Sequence, residues 1–126
     1  MGNGPELKPR SKSDMEALVD RAVSKFIKKH LGEHSDIVST RMFEDIVMVR
    51  IREVLPPAER HMLRQKDGVR VIKELKMKLL ERATPFLKQT INNTTKREVV
   101  DVHSSFNPET GEYFEIFTLD SEREGI

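Results

Sequence analysis

The chain has no cysteine and no tryptophan, a single tyrosine, and no apolar run long enough to cross a bilayer. Without cysteine there can be no disulfide, thiolate zinc site or cysteine nucleophile, and the composition suits a reducing, cytoplasmic compartment. A spanning helix needs about 20 consecutive apolar residues, so direct membrane insertion is not expected. Met1-Gly2-Asn3-Gly4-Pro5-Glu6 lacks the apolar stretch of a signal peptide, and Glu6 stands where a myristoylation motif carries Ser or Thr. An excess of charge of one sign is missing too. Lys and Arg number 22 against 21 Asp and Glu, for a net +1, and nucleic-acid binders carry a clear basic excess. Neither a Gly-x-x-Gly clamp, nor interleaved aromatic strands, nor a Walker-type phosphate loop occurs. A nucleic-acid partner is therefore not expected.

What is present fits one globular domain. The 126 residues are 37% hydrophobic and 34% charged, a single-domain length with a heavily solvated surface. Residues 1–12 read as a flexible lead-in, 13–120 as the domain and 121–126 as a tail. Ser13 with Glu16 forms an S-x-x-E capping box. Met15, Leu18, Val19, Ala22, Val23, Phe26, Ile27 and Leu31 then step by three and four, the mark of a helix with one core-facing stripe, and Gly32 is its expected stop. Ile37 to Phe43 and Ile46 to Val54 are rich in β-branched residues, with a tight turn at Glu44-Asp45. In the second run Val47, Val49 and Ile51 share the face opposite Met48, Arg50 and Arg52.

Pro56-Pro57 ends this hairpin and opens a short helix. Asp67 is expected to cap a longer one, whose apolar positions are Val69, Ile72, Leu75, Leu79, Ala83, Phe86, Leu87 and Ile91. Pro85 should kink or restart it near Thr84. Glu98 to Phe106 and Glu112 to Leu119 flank the turn-forming Asn107-Pro108-Glu109-Thr110-Gly111 and read as a second hairpin. The order is α-ββ-α-α-ββ, an α+β fold with both hairpins in one antiparallel sheet and the helices on one face. Phe26-Ile27-Lys28-Lys29 is echoed by Phe86-Leu87-Lys88-Gln89, a hint of a duplicated α-β-β unit. The last strand has Phe114 and Ile116 on one face and Tyr113, Phe117 and Leu119 on the other. A strand apolar on both faces wants cover on both. The expected source of that cover is a second copy or another protein, with Tyr113, Phe117 and Leu119 as interface residues.

Residues capable of chemistry are few. His30 and His34 have helical metal-pair spacing, but Gly32 between them breaks the helix that the geometry needs, and neither a metal nor another cofactor is expected. Asp101, His103 and Ser105 share one strand face at about 7 Å intervals, too far apart for triad hydrogen bonds, and no Gly-x-Ser-x-Gly elbow occurs. The chain is expected not to be an enzyme. The expected ligand-binding surface is the face carrying Arg50, Arg52 and His103, with Tyr113 beside them.

Three ordered stretches carry a family likeness. Phe43-Glu44-Asp45-Ile46-Val47-Met48-Val49-Arg50-Ile51 leads into Val54-Leu55-Pro56-Pro57-Ala58-Glu59. Gly68 opens the basic long helix. Val102-His103-Ser104 is followed by Thr110-Gly111-Glu112 and Phe117-Thr118-Leu119-Asp120. The pattern resembles the MpsC family of small bacterial domains from about Leu18 to Asp120. The resemblance implies a role beside a membrane system related to proton- or sodium-translocating dehydrogenase subunits and linked to membrane potential and inorganic-carbon uptake. It supplies no catalytic residues, and Glu59, His103 and Asp120 are the positions inside its matching stretches. The chain departs from the family pattern at Leu55-Pro56, where Leu-Thr is usual and a hydroxyl cap is lost, and at Ser35-Asp36 in place of Gly-Pro. The expectation is a cytoplasmic accessory protein, dimeric through its final strand or exposed sheet face. It would be held at the inner side of the membrane by a transporter subunit. The alternative is a small-molecule or nucleotide sensor using Arg50, Arg52 and His103.

Overall fold

Alternating strands and amphipathic helices assemble here into two layers. The structure, a computed structural model, describes residues 11–31, 37–52 and 55–120. Its elements are α1 (Lys12–Leu31), β1 (Ile37–Phe43), β2 (Ile46–Arg52), α2 (Pro57–Met62), α3 (Gly68–Thr95), β3 (Val99–Asn107) and β4 (Glu112–Leu119). The two hairpins join through their second strands into one antiparallel sheet, in the order β1-β2-β4-β3. The α-ββ-α-α-ββ order and the α+β class hold. The stop at Gly32, His34, Ser35-Asp36 and the end of the second run at Val54 fall outside the described residues.

Strand periodicity decides which side chains reach the core. Val47, Val49 and Ile51 point under the helices, where they are almost wholly buried, and Met48, Arg50 and Arg52 point away. From above, α1 contributes Val19, Val23, Phe26 and Ile27, and α3 contributes Leu80, Ala83, Leu87 and Ile91. Each fully buried aliphatic side chain of this kind contributes about 1.5–3 kcal/mol. A smaller cluster of Leu55, Ile72 and Phe106, packed by Met62, Leu63 and Tyr113, seats α2 at the end of the sheet. A bulge between Val99 and Asp101 switches the phase of β3. Val99 thus joins the core before the bulge and Val102 and Phe106 after it, while Asp101 and His103 face out.

The second turn behaves as its residues predict. Gly111 adopts φ 73°, its N–H bonds the Asn107 carbonyl at 2.9 Å, and Asn107 Oδ1 accepts the Glu109 N–H at 2.9 Å.

Several local expectations are corrected. The first cap is Ser11, whose hydroxyl accepts the Asp14 N–H at 3.1 Å. Glu16 does not close a box with Ser13, because its carboxylate accepts the Met42 N–H at 2.7 Å and so covers an outward amide of the β1 edge. Asp67 sits at φ 64° and makes no side-chain cap. The tight approach there falls on Gly68, where a Cβ would stand 1.6 Å from the Met62 carbonyl oxygen. Pro85 lies inside an unbroken α3, and the neighbouring Thr84 hydroxyl bonds the Leu80 carbonyl at 2.8 Å.

The expected stripe of α3 divides. Ile72, Ala83, Leu87 and Ile91 are buried along with Lys76 and Leu80, whereas Val69, Leu75, Leu79 and Phe86 are exposed. In the echoed tetrads Ile27 and Leu87 are both buried, but Phe26 is inside and Phe86 outside. The expected role of β4 changes too. It is a central strand with both edges paired, and Phe117 and Leu119 are 1% and 2% exposed beneath the chain's own helices. Neither edge pairing through β4 nor an interface made of Phe117 and Leu119 is available.

Candidate functional site

The sheet face away from the helices is not covered by any described residue. Its columns are Ile37, Ser39, Arg41 and Phe43 on β1; Ile46, Met48, Arg50 and Arg52 on β2; Glu112, Phe114, Ile116 and Thr118 on β4; and Asp101, His103 and Ser105 on β3. The centre is apolar, from Ile46, Met48, Phe114 and Ile116, each partly exposed. The β1–β2 half carries three arginines and no acid, while the β4–β3 half carries Glu112, Asp101 and His103 and no Lys or Arg.

Arg50 and Arg52 converge on one carboxylate. Glu112 Oε2 accepts Arg50 Nε at 2.9 Å, Arg52 Nη2 at 2.9 Å and Arg52 Nε at 3.2 Å, and is also bonded by Arg50 Nη2. The Arg50 guanidinium, then that of Arg52, holds the Glu112 carboxyl below its ordinary value. The Glu112 side chain is 10% exposed and the arginines about half, so each guanidinium keeps an outer edge. Beside them lies a shallow cavity of about 130 Å³ lined by Ile37, Ser39, Arg50 and Arg52.

His103 is on the same face, opposite Ile116 and one strand beyond the column of Glu112. It is exposed, and its row also holds Met48 and Arg41. Tyr113 is not with them. It pairs in register with Ile51, so its ring lies on the helix-covered face, 4.7 Å from Phe106. Strand alternation separates it from Arg50, Arg52 and His103 by the thickness of the sheet.

The family-motif acids close the structure at two places. Glu59 in α2 pairs with Lys76 Nζ at 2.8 Å, and that lysine side chain is 4% exposed. Asp120 Oδ1 accepts the Glu98 N–H at 3.3 Å, and Arg97 Nη2 bonds both the Asp120 carbonyl and Asp45 Oδ1, the latter at 2.7 Å. Arg97 thereby ties the first hairpin turn to the end of β4.

Glu115 is the group that sequence reading passed over. It is 1% exposed on the core face, in the row Thr40–Val49–Glu115–Ser104. Ser104 Oγ donates to its Oε1 at 2.8 Å, and its Oε2 has no hydrogen-bond partner among the described residues. Burial pushes its carboxyl up to about 7, against the smaller opposing effect of the Ser104 hydroxyl. Its signal was its position between Tyr113 and Phe117, on the face already read as apolar.

His30 packs between Phe26 and Phe86, with ring centroids 4.7 and 6.3 Å away. Among the described residues no group of His, Asp or Glu is placed to hold a metal ion, and no described helix is long and apolar enough to cross a membrane.

The profile of the family described as "Na+-translocating membrane potential-generating system (MpsC)" matches residues 11–121. A Bacillus subtilis (strain 168) relative, called uncharacterized protein YbcI, is 29% identical over 110 residues, covering 87% of this chain and 89% of that protein. No solved structure matches.

Proposed function

Because the chain belongs to the MpsC family, we propose that it is a non-catalytic accessory protein that docks, from the cytoplasmic side, onto a membrane-embedded Na+-translocating assembly. The observation that carries this reading is the outer stripe of α3. Val71, Leu75, Leu79 and Phe86 are 39%, 43%, 43% and 60% exposed. At 100° per residue they form one line, roughly 100° around the helix from the buried line of Ile72 to Ile91. α3 has 28 residues and α1 only 20, and His30 in the last turn of α1 stacks on Phe86. The first turns of α3 thus run past the described end of α1.

Lys78 and Arg82 stand within this stripe, so the partner segment it fits is apolar with acidic flanks. Burying what remains exposed of four such side chains is worth roughly 3–5 kcal/mol before the cost of association, so the stripe makes a reversible contact whose flanking charges must contribute as well. The test is co-purification of the tagged chain from mild-detergent extracts, compared with a Leu75→Asp/Leu79→Asp variant. Both substitutions are at exposed positions and should leave the fold intact. The wild type is expected to recover a membrane subunit and the variant, with unchanged melting, to lose it. Recovery of no membrane subunit by the wild type, or equal recovery by the variant, refutes the reading.

The cavity beside Arg50, Arg52 and Ser39 favours a second reading, a sensor of small anions or nucleotides. It requires that millimolar phosphate or nucleotide raise the melting temperature and that Arg50→Gln abolish the rise.

A further inference from the structure

The open sheet face has an uneven charge distribution that selects its own occupant. Arg41, Arg50 and Arg52 lie in the β1–β2 half, and Glu112 and Asp101 in the β4–β3 half, with the apolar centre between them. Two copies can stack this face on itself about a two-fold axis lying in the interface, either along the strands or across them. An axis across the strands sets β1 on β1 and β2 on β2. It brings six arginines together against only the two Glu112 carboxylates that Arg50 and Arg52 already share, a net positive excess, and opposes the two Asp101 side chains. An axis along the strands, passing between β2 and β4, sets β2 over β4 and β1 over β3 of the other copy. Unlike halves then meet.

Residue levels follow from the strand registers. Arg41, Met48, Ile116 and His103 share one row, so Met48 lies over Ile116 of the second copy and Arg41 over His103, with Asp101 one row away. Arg50 lies over Phe114 of the second copy, the ring its guanidinium carbon already approaches to 6.0 Å within its own chain. Arg52 meets Glu112. We propose that the open sheet face binds a second copy of this chain, with the two-fold axis parallel to the strands and Arg41 of each copy over His103 of the other, reaching to Asp101 one row away.

The area sets the strength. Four strands about 4.8 Å apart and about seven residues long at 3.3 Å per residue present roughly 450 Å². Two such faces bury roughly 900 Å² in projection, below the roughly 1,200 Å² at which stable interfaces begin. A reversible dimer is therefore expected, populated at high-micromolar to millimolar concentration and weakened by salt.

Dimerisation through the sheet face does not depend on the docking of α3, and one experiment distinguishes them. Sedimentation equilibrium would be run on the full chain at low salt for the wild type, Arg41→Asp, Asp101→Arg, the double variant and Leu79→Asp. Each single reversal sets like charges against each other across the interface and is expected to weaken the dimer by roughly tenfold or more. The double variant exchanges the charges and is expected to return to within about threefold of wild type. Leu79→Asp, on the other side of the molecule, is expected to leave dimerisation unchanged. All these positions except Leu79 are exposed on the sheet face, and melting curves confirm that each variant is folded. A wild type that stays monomeric at millimolar concentration overturns the proposal. So does a double variant no better than the singles, or a dimer abolished by Leu79→Asp.

Discussion

Replacing Glu115 with glutamine asks whether a carboxyl beneath the sheet limits stability at neutral pH. Burial, opposed less strongly by the Ser104 hydroxyl, raises its folded-state value from 4.5 to about 7, so the folded state holds this proton more tightly than the unfolded chain does. Below pH 4.5 both states are protonated and the contribution to stability is fully present. Between 4.5 and about 7 the unfolded chain has lost the proton and the folded one has not. Stability then falls with rising pH at about 1.36 kcal/mol per pH unit, roughly 3 kcal/mol in all. Above the folded value the contribution is lost and the curve is flat again.

Glutamine stays neutral throughout. Its amide NH2 takes the place of an oxygen that already lacks a partner, which costs about 1–2 kcal/mol. The net expectation is a variant less stable than wild type by about 1–2 kcal/mol at pH 4.5 and more stable by about 1–2 kcal/mol at pH 8. At about 4 °C per kcal/mol that is a crossing of the two melting curves, with a gain of several degrees at pH 8. Thermal melts of both proteins in steps from pH 4.5 to 8.5 read it directly, since titrations common to the two cancel in the difference. Parallel profiles, with no change in the wild type minus variant difference between pH 5 and 7.5, would refute the reasoning.

Two further outcomes follow from packing. Lys76→Met strips Glu59 of its buried partner and should cost about 2–3 kcal/mol in urea unfolding, while adding Glu59→Gln should recover at least half of that; equal losses in the single and double variants would show that the pair contributes no coupling. Gly68→Ala drives a methyl into the Met62 carbonyl and should cost about 2–3 kcal/mol, and a melting temperature equal to wild type would mean that the turn before α3 relaxes freely.

The sheet was legible because strands have a period of two and little else to decide. Val47, Val49 and Ile51 alternate against Met48, Arg50 and Arg52, and the structure keeps that division. The same rule applied to β4 should have flagged Glu115, since it falls between Tyr113 and Phe117, and should have kept Tyr113 off the arginine face. What pattern could not supply was the neighbour. The need for cover over Phe117 and Leu119 was visible, but whether it came from this chain's helices or another's depended on the order β1-β2-β4-β3, which puts β4 in the middle. α3 was ambiguous for a different reason. Apolar side chains occupy more than half its circumference, so several stripes fit a 3.6-residue period. Tertiary packing chose the one containing Lys76, whose charge is met by Glu59 from the preceding helix α2. Ser11 and Ser13 were equally good caps by residue type. The choice between them turned on Glu16, which the β1 edge draws away to Met42.

The sheet face and the α3 stripe do not overlap, because the helices cover only one side of the sheet, and this bears on how the two proposed contacts would work together. A dimer formed through the sheet face leaves both α3 stripes outside. The two sheets stack about 10 Å apart and each helix layer adds about 10 Å, so the two α3 axes are set roughly 30 Å apart. A partner that offers two docking segments at that spacing would hold two copies at an effective concentration near the millimolar range. That is the range in which an interface of roughly 900 Å² begins to form. Self-association too weak to matter for the free chain then becomes substantial on the assembly. Each contact strengthens the other without either site touching the other. The consequence is asymmetric in a useful way: Arg41→Asp should lower apparent affinity for a two-segment partner while leaving affinity for an isolated segment unchanged, whereas Leu75→Asp should lower both.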